Sequence, residues 1–313
     1  MDIKDKKAAF LFPGQGAQYR GMGLDFYEKL ETVKKLFSLC SDIMGMDMKT
    51  SLETADDETL KRTDVSQSTI TLVNLAAASF LDERGVRPAA AAGFSLGEYA
   101  ALAAAGVVSA EDCFHLVKER GKAMQCAADD VGHGADAPGM AAVIGLSPEK
   151  IAELLAEWKI GDLFAANINS KKQTVVAGSA SALTRAEPLF KAAGARRCIR
   201  LAVAGPFHSP LMNGAVEHFK PCLEKTVFSD PRIPLYSNVT GDLITSGAEA
   251  KRLALRQIVS PVQWVAEERA LIESGGFDVA LETGPGAVLA GLWRDMESSI
   301  LCLAAGTIQA IEA

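Results

Sequence analysis

The sequence predicts an α/β protein in two units: a larger one with a parallel sheet, interrupted by a smaller one of β-α-β-β-α-β order. Three observations predict it. Short apolar runs, at 8–12 and 88–92, alternate with stretches of helical period. The pattern Gly93-Phe94-Ser95-Leu96-Gly97 falls between one of those runs and a strong helix former, Tyr99 to Ala105. From 140 to 203 the strand and helix signals follow the order of the smaller unit.

In chain order, Ala8 to Phe12 reads as a buried strand running into the glycine-bearing loop Pro13-Gly14-Gln15-Gly16-Ala17-Gln18, at the strand end where open α/β sheets bind ligands. Leu24, Tyr27, Leu30, Val33 and Phe37 form one apolar stripe, predicting a single helix over 24–40. A second helix is predicted over 68–84, ended by Gly85. After the strand at 88–92 and the helix beyond Ser95, Ser109 caps a helix over about 110–128. On it, Arg120 lies beside the stripe of Phe114, Val117, Gly121 and Met124. A helical arginine is ordinarily a solvated or surface-paired residue, but one turned toward an apolar face needs an anionic partner.

The Gly/Asp/Ala-rich stretch 129–139 marks a boundary, giving a larger unit over 1–133 and 204–313 and a smaller one over 134–203. Within the smaller unit, strands are predicted at 140–144, 163–167, 174–177 and 197–203. Helices are predicted at 148–158, with Pro148 at the first position, and at 181–193. That order is ferredoxin-like. The larger unit resumes with the turn-rich Gly205-Pro206-Phe207-His208-Ser209-Pro210. A helix over 211–226, a short strand at 234–236, a helix over 262–273, a strand at 277–281 and a helix through Ala290 and Trp293 follow.

Composition bounds the function. At 313 residues, 49% hydrophobic and 23% charged, the chain is a globular protein with room for a large core. A net charge of −7, with no block of like charges, argues against nucleic acid as a partner. The apolar run after Lys4, Lys6 and Lys7 stops at Pro13-Gly14, too short for a signal-peptide core. No stretch approaches the roughly 18 apolar residues of a spanning helix, so a cytoplasmic protein without membrane association is expected. The six cysteines, Cys40, Cys113, Cys126, Cys198, Cys222 and Cys302, are scattered, with no Cys-x-x-Cys pair and no histidine at ligand spacing. Reduced, mostly buried thiols and no metal are expected.

Gly93 to Gly97 has the form of a nucleophile elbow, in which flanking glycines allow a strained turn that lifts the Ser95 hydroxyl to a helix N-terminus. There the helix dipole and free N–H groups favour developing negative charge. Such a pattern also occurs in ordinary turns. His208 is the one histidine of four on a Gly/Pro-shaped turn after a predicted strand: His115 and His218 fall on predicted helices and His133 in the boundary stretch. From the residues alone, a structural and a catalytic role for it stand equal.

Together these segments resemble the malonyl-CoA:acyl carrier protein transacylase family. The resemblance rests on six motifs in order: Phe12 to Gln18, Gly93 to Tyr99, Glu119-Arg120-Gly121, Gly205 to Ser209, Gln257 with Pro261-Val262-Gln263-Trp264, and Glu282-Thr283-Gly284-Pro285-Gly286. It implies a hydrolase-like α/β domain with a ferredoxin-like insertion. Ser95 would be the nucleophile and His208 the general base, oriented by the backbone carbonyl of Gln257 rather than by a carboxylate. The N–H of Leu96, just after the nucleophile, and that of Gln15 would form the oxyanion hole. Arg120 would bind the malonyl carboxylate, supplying the anionic partner its position requires. Phe207 is bulky where members accepting a 2-methyl branch carry a smaller residue. Asn167 matches a position near the acyl pocket, against a turn-capping role. Many members carry histidine before the nucleophile; here it is Phe94.

The resemblance implies ping-pong malonyl transfer from malonyl-CoA to the phosphopantetheine thiol of an acyl carrier protein, by a monomer needing no cofactor. Carrier proteins are usually acidic, and residues 134–203 hold nine Lys/Arg against six Asp/Glu, a local balance of +3 that marks a candidate docking face. An esterase or thioesterase using the same elbow with water as acceptor, or a noncatalytic acyl sensor, are the alternatives.

Overall fold

Alternation along β1 (Ala8–Phe12) sets the architecture, because Ala8, Phe10 and Phe12 join one apolar cluster while Ala9 and Leu11 join another. The computed structural model describes residues 6–313 apart from 133, 135 and 136. Lys4, His133 and Asp136 lie outside the described residues, and with them part of the expected boundary between units.

β1 is followed by α1 (Leu24–Lys29), α2 (Glu31–Met44), α3 (Met48–Thr54), α4 (Asp57–Lys61) and α5 (Thr63–Glu83). The single helix expected over 24–40 is two. Leu30 is extended, at φ −126° and ψ 128°, and the break lets Phe26 of α1 reach Phe80 while Phe37 of α2 meets Tyr27, at ring separations of 5.0 and 4.9 Å. Tertiary packing overrides a continuous local period here. α5 begins five residues before the expected Ser68, and Thr63, Ser66 and Gln67 of the added segment are buried.

β2 (Pro88–Gly93), α6 (Gly97–Ala104) and α7 (Ala110–Val131) come next. Ser109 caps α7 by accepting from the Asp112 N–H, as its sequence predicts. In the smaller sheet, β3 (Gly139–Ile144), α8 (Pro148–Trp158), β4 (Leu163–Ser170), β5 (Gln173–Gly178), α9 (Ala180–Ala192) and β6 (Arg197–Arg200) follow one another in the expected β-α-β-β-α-β order. Their antiparallel sheet runs β4-β5-β3-β6. One face, with Val143 and Val176, packs on α8 and α9 through Ile151, Leu154, Leu183 and Phe190. The other, with Met140, Ala142, Val175 and Ala177, joins the core of the larger sheet, so the two sheets share an apolar wall. β6 is shorter than expected: the last bond is from Leu201 N–H to the Met140 carbonyl, beyond which its partner has ended and residues 201–203 turn along the cleft.

α10 (Asn213–Lys225), α11 (Gly247–Arg256), α12 (Trp264–Ser274), β7 (Val279–Glu282), α13 (Val288–Trp293), β8 (Cys302–Ala304) and α14 (Ile308–Glu312) complete the chain. The larger sheet is parallel, in the order β2-β1-β7-β8. The strand expected at 234–236 contributes only bridges, Leu235 to Ala91 and Tyr236 to Leu243. Sequence reading missed the short α3, α4, α14 and β8, and also α11, whose buried face is carried mainly by Ala250, Leu253 and Ala254 among charged residues. Among the described residues, no helix is long and apolar enough to cross a membrane.

Candidate active site

β2 ends at Gly93 and α6 starts at Gly97, leaving Ser95 on the turn between them at φ 51°, a left-handed conformation that costs a non-glycine residue about 1–3 kcal/mol. Two glycines make the turn possible. A Cβ on Gly97 would collide with the Phe12 carbonyl at the end of β1, and one on Gly14 would collide with the Phe94 carbonyl. The second approach lays the loop after β1 directly against the serine turn, bringing Gln15 to the same side as Leu96. Neither the Gln15 nor the Leu96 backbone N–H bonds an acceptor among the described residues, although Leu96 is fully buried. Two unengaged N–H groups flanking a serine hydroxyl are what an oxyanion hole requires.

Four segments hold the turn in place from behind. Asn238 Oδ1 accepts from the Ser95 N–H at 2.7 Å, and its Nδ2 donates to the Gly93 carbonyl and to Glu267 Oε1, each at 2.7 Å. Glu98 Oε2 accepts from the Asn238 N–H at 2.9 Å and from Gln257 Nε2 at 3.0 Å. Gln257 Nε2 also reaches the Ser95 carbonyl, at 3.0 Å. Burial pushes the Glu98 carboxyl up to about 7. It lifts Glu267 well above the usual carboxylate range too, with Glu98 adding to the effect.

His208 sits on the connection between β6 and α10 at φ 57° and is buried. Its Nε2 lies 2.7 Å from Ser95 Oγ and its Nδ1 2.9 Å from the Gln257 carbonyl. A carbonyl can only accept, so Nδ1 carries the proton and Nε2 is left as the acceptor facing the hydroxyl. Burial, and then the charge of Arg120, lower the imidazole to about 4, against a smaller opposing effect of backbone carbonyls. The resting ring is a neutral base. His115 and His218 are exposed on α7 and α10.

Arg120 is fully buried on α7. Its Nη1 donates to Gln67 Oε1 at 2.7 Å and its Nη2 to Gln257 Oε1 at 3.0 Å, with Ser95 Oγ 3.5 Å from Nη2. The expected anionic partner is not a protein carboxylate: among the described residues Arg120 forms no ion pair, and its Nε has no acceptor. Glu98 acts on it only through space. A buried guanidinium held by neutral amides leaves room for an anion to be gained from outside.

A cleft of about 380 Å³ opens in front, lined by the loop 13–18, Ser95, His208, Gln67, Phe207 and residues of both sheets. Arg120 lies behind Ser95, Gln67 and His208 rather than on the lining itself. Phe207 is buried in the wall, and Asn167 lines the cleft from within β4. The strand end expected at Asn167 is instead mid-strand, beside a register shift at 165–167, which removes the turn-capping alternative. Phe94 also lines the cleft and meets Trp264 edge-on at 5.4 Å, so an aromatic contact fixes the residue before the nucleophile.

The structure therefore brings together Ser95, His208, Arg120, Gln15, Leu96 and Gln257, and sets Asn167 and Phe207 on the cleft wall. Sequence reading missed Gln67, Asn238 and the role of Glu98. Gln67 and Asn238 are polar residues in polar surroundings, and only their partners single them out.

A serine on an elbow, an imidazole within hydrogen-bond distance and two unengaged N–H groups define a serine acyl-transfer centre. The chain belongs to the acyl transferase domain family, whose profile matches residues 9–302. It is 36% identical over 308 residues to the malonyl CoA-acyl carrier protein transacylase of Bacillus subtilis, covering 98% of this chain and 95% of that one. Among solved structures, an acyl carrier protein S-malonyltransferase from Vibrio cholerae superposes with a TM-score of 0.90 at 34% identity, covering 98% and 99% of the two chains. A malonyl-transacylase solved in complex with a type II PKS acyl-carrier protein gives 0.91 at 33% identity, covering 98% of each.

Proposed function

We propose that this protein moves a malonyl group from malonyl-CoA to the phosphopantetheine thiol of an acyl carrier protein through a malonyl-Ser95 intermediate. The observation that carries the reading is one serine oxygen shared by a base and a guanidinium: Ser95 Oγ is 2.7 Å from His208 Nε2 and 3.5 Å from Arg120 Nη2.

His208 takes the Ser95 proton as Oγ attacks the thioester carbonyl, and the Leu96 and Gln15 N–H groups receive the charge on the carbonyl oxygen. Collapse expels CoA, whose sulfur takes the proton from His208. The carrier's thiol then gives its proton to His208 and attacks the same carbonyl, and Ser95 leaves with that proton. The Gln257 carbonyl keeps the ring in the required tautomer. As a neutral acceptor it stabilises imidazolium less than a carboxylate would, which suits a thioester donor. An acyl group esterified to Ser95 has its terminal carboxylate within reach of Arg120, whose neutral partners and open Nε favour an anion there. Phe207 on the cleft wall disfavours a 2-methyl branch, and Asn167 is read as part of the acyl pocket.

The reading also takes the chain as a hydrolase-like unit over 1–133 and 204–313 with a ferredoxin-like insertion over 134–203, acting as a cytoplasmic monomer whose acyl transfer needs no metal or organic cofactor. The strand order β4-β5-β3-β6 supports the second assignment. For carrier docking, exposed Lys172, Arg196 and Arg197 are the favoured surface. Lys172 and Arg196 both bond the Ile144–Gly145 end of β3, and neighbouring Gln173 lines the cleft. The net charge of −7 supports the exclusion of nucleic acid.

Intact mass spectrometry after mixing with malonyl-, acetyl- and methylmalonyl-CoA tests the proposal. A malonyl adduct is expected, absent from Ser95→Ala and discharged only when holo carrier protein is added. Rapid discharge in buffer alone would establish the hydrolase alternative instead.

A further inference from the structure

We infer that Cys126, Asp130 and His218 form a binding site for a borderline divalent cation, Zn²⁺ by its ligand chemistry, that ties α7 to α10. Cys126 and Asp130 are four residues apart on α7, so they share one face of that helix. α10 packs along α7 and brings His218 to the same face, though 88 residues separate it from Asp130 in the chain. The thiol sulfur, a carboxylate oxygen and a ring nitrogen lie within 4.8 Å of one another. Only the packing of the two helices brings the three groups together, and the inference departs from the expectation of no metal.

The donor set argues for the ion. One thiolate, one imidazole and one carboxylate are the ligands of tetrahedral zinc, whereas Mg²⁺ and Ca²⁺ select oxygen alone. Bonds of about 2.0–2.3 Å in a tetrahedron place ligand atoms roughly 3.3–3.8 Å apart, so the three groups need to close by about 1 Å. All three side chains are exposed, and none is engaged in a hydrogen bond or ion pair among the described residues, so rotamer changes suffice. Solvent access leaves the fourth position to water.

The location gives the site a consequence. α7 carries Arg120, and α10 follows the connection that carries His208. The two segments already touch closely beside the cluster, where a Cβ on Gly205 would press on Ala128 and one on Gly214 would contact Ala127. An ion bridging Cys126 and His218 clamps the two segments that position the base and the guanidinium. This inference does not depend on the acyl-transfer reading.

Co²⁺ added to the full-length, reduced, chelator-treated protein tests it. A near-ultraviolet thiolate-to-cobalt band and intense visible bands of a tetrahedral ion are expected at one equivalent, bleached by Zn²⁺, with a rise in Tm on Zn²⁺ addition. Cys126→Ser is expected to abolish the near-ultraviolet band, and His218→Ala and Asp130→Asn to weaken Zn²⁺ binding on the order of tenfold or more. These surface variants should keep the metal-free Tm of the parent, which separates lost binding from lost folding. No band at one equivalent, a band that persists in Cys126→Ser, or an unchanged Zn²⁺ affinity in His218→Ala overturns the inference.

Discussion

Replacing Arg120 by alanine separates recognition of the acyl carboxylate from the chemistry at Ser95. The guanidinium is fully buried, meets the neutral oxygens of Gln67, Gln257 and Ser95 and the ring of Tyr99 at 5.3 Å, and has an Nε with no acceptor. If a malonyl carboxylate pairs with it there, removing one partner of a buried ion pair costs about 3–5 kcal/mol. At 1.36 kcal/mol per decade, kcat/KM for malonyl-CoA should fall roughly 10²- to 10⁴-fold. Acetyl-CoA has no carboxylate to lose, so its rate should change little and thereby report that the Ser95–His208 pair is intact. Truncation also leaves the Gln67 and Gln257 amide oxygens without their donor, at about 1–3 kcal/mol each, while relieving the burial of a charge, so thermal melting of the variant accompanies the kinetics. Arg120→Lys should recover part of the malonyl rate, since it restores charge without the two-pronged geometry. The assay is stopped-flow acylation with both thioesters. Equal losses for malonyl- and acetyl-CoA, or a malonyl loss under tenfold in a folded variant, would refute the argument.

With the imidazole lowered to about 4, the acid limb of kcat/KM should lie near pH 4 rather than near 6.5, and Arg120→Ala should move it upward because the neighbouring charge is gone. The same group stays neutral in the folded state while the unfolded chain takes up a proton below about 6.5. Its contribution, roughly 3 kcal/mol, is therefore complete above pH 6.5 and lost as pH falls to about 4, which acid titration of the parent against His208→Gln measures. Gly97→Ala should destabilise by more than about 4 kcal/mol or prevent folding, since the collision is with the Phe12 backbone; an ordinary urea midpoint would contradict the elbow geometry. Asn238→Ala strips partners from the Ser95 N–H and the Gly93 carbonyl, so urea unfolding should show a loss of about 2–6 kcal/mol, with kcat reduced more than KM changes. Charge reversal at Lys172, Arg196 and Arg197 should raise KM for carrier protein and leave acylation by malonyl-CoA unaltered; an unchanged carrier rate removes that surface from consideration.

The legible parts of this fold are those with a local signature. β1 and the elbow follow from short apolar runs meeting glycine turns, and Ser109 announces the start of α7 because a cap is a contact between residues three apart. The break at Leu30 was illegible, since both helices keep one apolar period and only the Phe26–Phe80 and Tyr27–Phe37 contacts select two directions. β8 was illegible as well: Cys302, Leu303 and Ala304 are a strand because β7 offers a free edge. In the site, Ser95 and Arg120 stood out by motif and by helix face. Asn238 and Gln67 did not, because an amide side chain signals nothing until its partners are known.

The sequence by itself marked a serine on a glycine-flanked turn and an arginine beside an apolar helix face, because each is encoded within a few residues of backbone geometry or helical period. The roles of base, oxyanion donors and carboxylate ligand came from the resemblance of six motifs to one family. Tertiary structure alone decided that Arg120 meets amides instead of a carboxylate, that Asn238 reaches back 143 residues to hold the Ser95 N–H, and that Cys126 faces His218. Such meetings depend on how whole helices and sheets pack, and packing is a property of the complete core that no short stretch of chain contains.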